Sequence, residues 1–335
     1  MDVALTIVMY HYVRPIAGSR HPRIRGLELS DFEGQLDYLQ QHHTPVSTRD
    51  VLQAVRGGRA LPERPVLLTF DDGYADHSRH VVPALQRRGM TGAFFPPTCS
   101  AVERRILDVN KLHFILASLE DASPLVARVE AAVDAARDEF ELLPLAAYRA
   151  RYFAPNRFDS AEVIYVKRML QVALPPALRH RIVADLFRDH VSTDEAGFAD
   201  ELYASPDDLR RMHEAGMEIG SHGHEHHWLD SLPPDEQARD IDRSLEMLER
   251  IGVPRDDFLF CYPYGGYTAD TVSLLAARGC AAAFTTRVAL ARPGADPLLE
   301  LPRLDTNDLP RRAGEAAAWT RAAAAGRHHL EESRA

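Results

Sequence analysis

The chain has 335 residues, 45% of them hydrophobic and 26% charged, and a formal net charge of −10. That length holds one large α/β barrel or a barrel with an inserted subdomain, and the composition excludes disorder of the whole chain. The acidic balance, with no long lysine or arginine run, excludes a nucleic-acid footprint.

Met1 to Tyr10 begins with an acid rather than a basic segment, and its apolar run is too short for a signal peptide or a membrane span. Thr6 to Tyr10 is expected to be a first buried strand. Ser30 followed by Glu33 reads as a capping box, and Phe32, Leu36 and Leu39 repeat at helical spacing, which predicts a helix from about Asp31 to Gln41. Pro65 to Phe70 is nearly continuous in apolar residues, as in a strand covered on both faces, and it delivers Asp71 and Asp72 at its carboxyl end. A helix around Ser78 to Arg88 should end at Gly89, and Gly92 to Phe95 gives the next strand.

Between about Ala101 and Asp200 the pattern changes. Leu112, Ile115, Leu116 and Leu119 fall at helical intervals and strand signals nearly vanish, so residues 101–200 read as a helical insertion, either a packing or dimerisation element or a lid. Beyond it, Ser205-Pro206-Asp207-Asp208 opens a helix that closes near Gly216, and Met217 to Gly220 is a short strand. A helix near Pro234 to Ile251, a strand at Phe258 to Cys261, a helix near Thr268 to Arg278 and a strand at Ala282 to Thr285 follow. The expected domains are a discontinuous barrel over 1–100 and 201–310, the insertion, and a helical tail over 311–335. Cys99, Cys261 and Cys280 are odd in number and far apart, which suits reduced thiols and a cytoplasmic location.

The chemistry sits in three places. Asp71-Asp72-Gly73 puts two carboxylates at a strand end, where adjacent side chains face opposite ways unless the turn at Gly73 relaxes them. Taken alone the tripeptide could equally be a plain turn. His222 and His226, four apart, can present both rings on one side from a helical turn or a tight loop. His224 and His227 fall outside that spacing, as surface or supporting groups. One carboxylate and two imidazoles leave positions open for water and substrate, and suit zinc, with cobalt, nickel, manganese and iron as alternatives. Cys261-Tyr262-Pro263-Tyr264-Gly265-Gly266 is a backbone turn that can serve an oxyanion while its tyrosines stack on a sugar ring, or a simple Pro-Gly turn with packing tyrosines.

With Met9-Tyr10-His11 and Leu301-Pro302-Arg303, these motifs make the chain resemble the polysaccharide deacetylases with a NodB-homology domain, carbohydrate esterase family four, over about 1–100 and 201–305. The resemblance implies a distorted (β/α) barrel, here with a helical insertion, that removes N-acetyl, less often O-acetyl, groups from sugars. It assigns Asp71 as base, Asp72, His222 and His226 as metal ligands, and the Tyr264 backbone as oxyanion donor. Water deprotonated by Asp71 then adds to the acetamide carbonyl without a covalent acyl-enzyme.

The chain departs from the family pattern in two places. Cys261 stands where many members carry an arginine that orients the base, and the late Leu-x-His motif with its acid histidine is absent. Arg303 is expected to support Asp71, and His11, with His224 as the other candidate, to protonate the leaving amine. A cytoplasmic enzyme would act on a nucleotide-, lipid- or oligosaccharide-linked acetamido sugar, and could associate with itself through 101–200. Two further readings are a metal- or glycan-binding homologue without activity, and a hydrolase of a non-sugar amide.

Overall fold

The computed structural model describes residues 3–156 and 159–315. Along the chain its main parallel strands are β1 (Thr6–Tyr10), β2 (Pro65–Asp71), β3 (Ala93–Phe95), β4 (Glu218–Ile219), β5 (Leu259–Cys261), β6 (Ala282–Phe284) and β7 (Leu304–Asp305). In space the order is β7, β1, β2, β3, β4, and β5 pairs with β6. Single parallel bridges, Ser221 with Phe260 and Phe284 with Leu301, link the two sheets. The result is an α/β fold whose strands follow one another round a distorted barrel, the regular ladders being interrupted at both bridges.

Alternation along β2 explains why its end is chemically special. Side chains two apart share a face, so Leu67, Thr69 and Asp71 climb one side of the strand while Val66, Leu68 and Phe70 line the other. Leu67 joins Ile7, Phe95, Cys261, Phe284 and Leu301 in one apolar cluster. Val66, Leu68 and Phe70 join Phe32, Leu36 and Leu85 of the covering helices in another. Both faces are dry, as the unbroken apolar run demands, and burying Phe70 fully contributes about 1.5–3 kcal/mol. Asp71 is therefore carried into a buried position by its place in the alternation.

Most local signals are realised within a residue or two. The helix Pro206–Glu214 starts on a capping box between Ser205 and Asp208, and Gly89 ends the helical stretch at φ 65°. The capping box expected at Ser30 does not form. The first helix spans Leu29–His42 with Glu28 at its N-cap, so Ser30 already lies inside the helix. The stretch expected as one helix over 78–88 begins as a π-helical turn, His77–Val81, before Val82–Arg87. The strand Leu304–Asp305 and the helix Thr48–Val55 had no reading in the sequence.

The chain divides into two units, one of Met1–Pro15, Gly26–Arg104 and Asp200–Ala335, the other of Ile16–Arg25 and Arg105–Ala199. Residues 16–25 thus belong to the second unit although residues 26–104 of the first separate them from the rest of it. Within that unit Arg23 donates to the carbonyls of Ala117 and Ser118, and the His21 ring packs on Phe114 and Phe198. Its helices include Asp108–Ser118, Ser123–Ala135 and Pro176–His190, with Leu112 and Ile115 buried. Lys111, also buried, is neutralised by Glu195 at 2.9 Å. Of the tail expected over 311–335, residues 316–335 lie outside the described residues.

Candidate active site

The turn that separates the two aspartates starts one residue earlier than the glycine suggests. Asp72 itself has φ 70° and Gly73 φ 64°, so the second carboxylate is rotated out of the strand alternation. A Cβ on Gly73 would lie 2.6 Å from Cβ of Pro96, which only glycine avoids. A non-glycine residue held in this region stores about 1–3 kcal/mol, a strain that concentrates at functional sites.

Asp71 meets a guanidinium that arrives from the other end of the chain. Arg303, just before β7, donates from its two terminal nitrogens to Oδ1 and Oδ2 of Asp71 at 2.9 and 2.8 Å. It also donates to Thr69 Oγ1, to the Thr285 carbonyl and to Cys261 Sγ. The Cys261 thiol in turn points at Asp71 Oδ2, 3.4 Å away. Arg303 is 1% exposed and Asp71 2%, so both charges are satisfied within a dry pocket. Burial pushes the Asp71 carboxyl up, but the Arg303 charge and its hydrogen bonds reverse this and hold it at about 2. Asp71 is thus a carboxylate at any working pH.

The two histidines come from a loop rather than a helix. Residues 222–226 are irregular, with left-handed backbone at Gly223 (φ 71°) and His226 (φ 58°), and it is this folding back that faces both rings the same way. Asp240, in the helix Pro234–Arg250, holds the loop by accepting from the backbone N–H of His224 and Glu225 at 2.9 and 2.8 Å. A Cβ at Gly223 would strike that same carboxylate. His222 donates from Nδ1 to the Cys261 carbonyl at 2.7 Å, which leaves Nε2 as the free lone pair. Burial, with the neighbouring His226, lowers its imidazolium to about 4, so the ring is neutral.

Asp72 Oδ1 lies 3.4 Å from Nε2 of His226 and 3.7 Å from Nε2 of His222. Ligand atoms round a tetrahedral zinc ion, with bonds of about 2.0–2.1 Å, sit roughly 3.3–3.4 Å apart. The donor set of one carboxylate and two imidazoles, all buried, therefore fits a divalent metal. Two other groupings do not. Asp71, His222 and Cys261 lie close together, but Arg303 already neutralises that carboxylate. Glu103, His224 and Glu225 carry Arg243 across their two carboxylates.

The remaining candidates take distinct places. Tyr264 sits at φ 57° in the turn Pro263–Gly265, with its ring edge-on to His226 at 4.5 Å. His11 has Nε2 3.9 Å from Asp71 Oδ2 and a side chain 42% exposed. His224, expected at the surface or in support, is buried, with one ring nitrogen on Thr98 Oγ1 and the other on Glu103. That commits both nitrogens and removes it as a proton donor. His227 is exposed. Sequence reading missed Tyr74, whose hydroxyl bonds Asp72, and the loop-holding Asp240. An aspartate inside an amphipathic helix carries no local mark of that task.

With this geometry in view, a sequence model of the family described as polysaccharide deacetylase matches residues 58–118 and 179–283. The chain belongs to the polysaccharide deacetylase family. Among curated members of related function, the poly-beta-1,6-N-acetyl-D-glucosamine N-deacetylase of Escherichia coli (strain K12) is 36% identical over 80 residues, which is 24% of this chain and 12% of that protein. Two solved structures share the fold. The Streptococcus pyogenes deacetylase PplD in complex with acetate superposes with a TM-score of 0.56 at 15% identity, covering 91% of this chain and 93% of that one. IcaB from Ammonifex degensii does so with a TM-score of 0.53 at 20% identity, covering 97% of each. Arg303 comes to Asp71 from just before β7, and Cys261 Sγ lies beside both.

Proposed function

We propose that this chain is a metal-dependent deacetylase that hydrolyses the acetamide of an N-acetylated amino sugar, releasing acetate and a free amine. One observation carries the reading: a buried Asp72, His222 and His226 triad converges beside a second carboxylate, Asp71, that is not needed as a ligand. A pure binding site has no use for that group. The family membership and the match to an amino-sugar polymer deacetylase support the substrate class.

A divalent cation held by Asp72, His222 and His226, most simply zinc, would supply Lewis-acid polarisation of the amide carbonyl and of water. Asp71 takes the proton from the attacking water, and Arg303 holds its carboxylate in place. The Tyr264 backbone N–H donates to the oxygen as the carbonyl becomes tetrahedral. His11, whose Nε2 lies 3.9 Å from Asp71 Oδ2, gives a proton to the nitrogen as the C–N bond breaks. Charge is balanced for this work: Asp71 and Arg303 cancel, leaving one negative charge, on Asp72, to meet a dication.

The three thiols, none in a disulfide, suit a reducing compartment. The test is acetate release from a panel of N- and O-acetylated sugars, nucleotide sugars and non-sugar acetamides, before and after chelation. Activity on N-acetyl sugars that is lost to chelator, restored by zinc and absent in Asp71→Asn is the expected result. Metal binding with no release from any compound would make the chain a binding homologue.

A further inference from the structure

The ring of His77 serves one backbone atom. Its Nε2 lies 2.8 Å from the carbonyl oxygen of His11, and since that oxygen can only accept, Nε2 carries the proton. Nδ1 is buried and has no hydrogen-bond partner among the described residues. Phe70, Tyr74 and Phe94 pack around the ring, and the residue is 1% exposed. An apolar side chain would fill such a space without stranding a nitrogen, so packing does not account for a histidine here. What the histidine adds is the N–H that reaches His11.

The local backbone is built for that reach. His77 opens the π-helical turn His77–Val81, a rare conformation that is frequent at functional sites, four residues after the turn at Gly73. The stretch after β1 is fastened beside it, since Tyr12 stacks on Tyr74 at 4.1 Å and its carbonyl accepts from the Leu27 N–H. His11 sits between β1 and Tyr12 with a side chain 42% exposed and Nε2 3.9 Å from Asp71 Oδ2. The aim of so open a side chain is set by how its backbone is held.

We propose that His77 is a positioning residue for deacetylation: its Nε2–H fixes the His11 carbonyl and so holds the His11 imidazole beside Asp71, where the leaving amine forms. The inference rests on the deacetylase reading above, with His11 as proton donor. An amine must be protonated to leave, whereas 4-nitrophenolate leaves without a proton. In His77→Leu, kcat for acetate release from an N-acetylglucosamine oligomer should fall about 10²-fold, the cost of a misplacement of about 1 Å, while kcat on 4-nitrophenyl acetate stays within about threefold. His77→Gln, whose amide N–H reaches about as far as Nε2, restores the sugar rate, and His77→Asn, one carbon shorter, does not. In the His11→Ala background His77→Leu adds no further loss on the sugar, because both act through one proton transfer. Equal losses on amide and ester, or losses that multiply with His11→Ala, would overturn the proposal.

The two readings fail separately, because crystal structures of the zinc-loaded native chain and its His77→Leu variant need no turnover. A His11 imidazole displaced by about 1 Å or more, with Asp72, His222 and His226 in place, supports the positioning role even if no acetate is released. An imidazole that has not moved refutes it even if acetate is.

Discussion

The phenolic hydroxyl of Tyr74 donates to Oδ2 of Asp72 at 2.5 Å, while Oδ1 of the same carboxylate faces His222 and His226. One oxygen is thereby occupied and the other presented, which fixes how the carboxylate meets a metal. Tyr74 is itself buried and immobilised, stacked on Tyr12 at 4.1 Å.

Removing that hydroxyl frees Asp72 to rotate. Partners that orient a ligand are worth about 10–100-fold in metal affinity, so Tyr74→Phe should weaken zinc binding by that factor in calorimetric titration. The same change at Tyr12 should leave affinity within a few-fold.

The Asp71–Arg303 pair can be tested through stability as well as rate. Arg303→Met strands a buried carboxylate and should cost about 3–5 kcal/mol in urea unfolding, part of which returns in the double variant with Asp71→Asn. The sign with pH follows from the lowered carboxyl. Asp71 at about 2 lies below its unfolded value of roughly 3.9, so the pair's contribution is present above that value and is lost as pH falls towards 2. Without Arg303, burial loses its main opponent, and the acid limb of acetate release should move to higher pH.

His11 is assigned the proton donor on position alone. His11→Ala should lower kcat by about 10²–10⁴ with zinc affinity retained, read from single-turnover acetate release. Full rate in that variant, set against none in Asp71→Asn, would place the acid elsewhere.

Stability should fall between pH 6.5 and 4 through His77. This ring is 1% exposed among Phe70, Tyr74 and Phe94, donates from Nε2 to the His11 carbonyl, and is lowered to about 4 chiefly by burial. The unfolded chain binds this proton first, near 6.5, so unfolding is favoured as pH drops, by roughly 3 kcal/mol at most for this residue. His77→Gln should flatten the urea midpoint across that range.

Local chemistry was legible where the physics is local. The apolar run of β2 announced a doubly covered strand, Ser205 with Asp208 announced a helix start, and Asp71-Asp72-Gly73 with His222 and His226 announced a carboxylate–imidazole set. The failure was of the same physical kind: Ser30 had the letters of a cap, but the helix begins at Leu29, ahead of it. The spacing of His222 and His226 left a helical turn and a tight loop open, and left-handed residues in a loop, held by Asp240 from a separate helix, face them together.

By itself, then, the sequence determined most of the strand-and-helix order, the candidate ligands and the carboxylate left over from them, because alternation, capping and ligand type act over a few residues. Only the tertiary structure decided which partners complete the site. Arg303 reaches Asp71 across 232 positions because β7 pairs with β1, which pairs with β2. Tyr74, Cys261 and Asp240 gain their tasks from the same convergence. A buried charge must be met by whatever group the strand order brings beside it, and sequence distance does not enter that requirement.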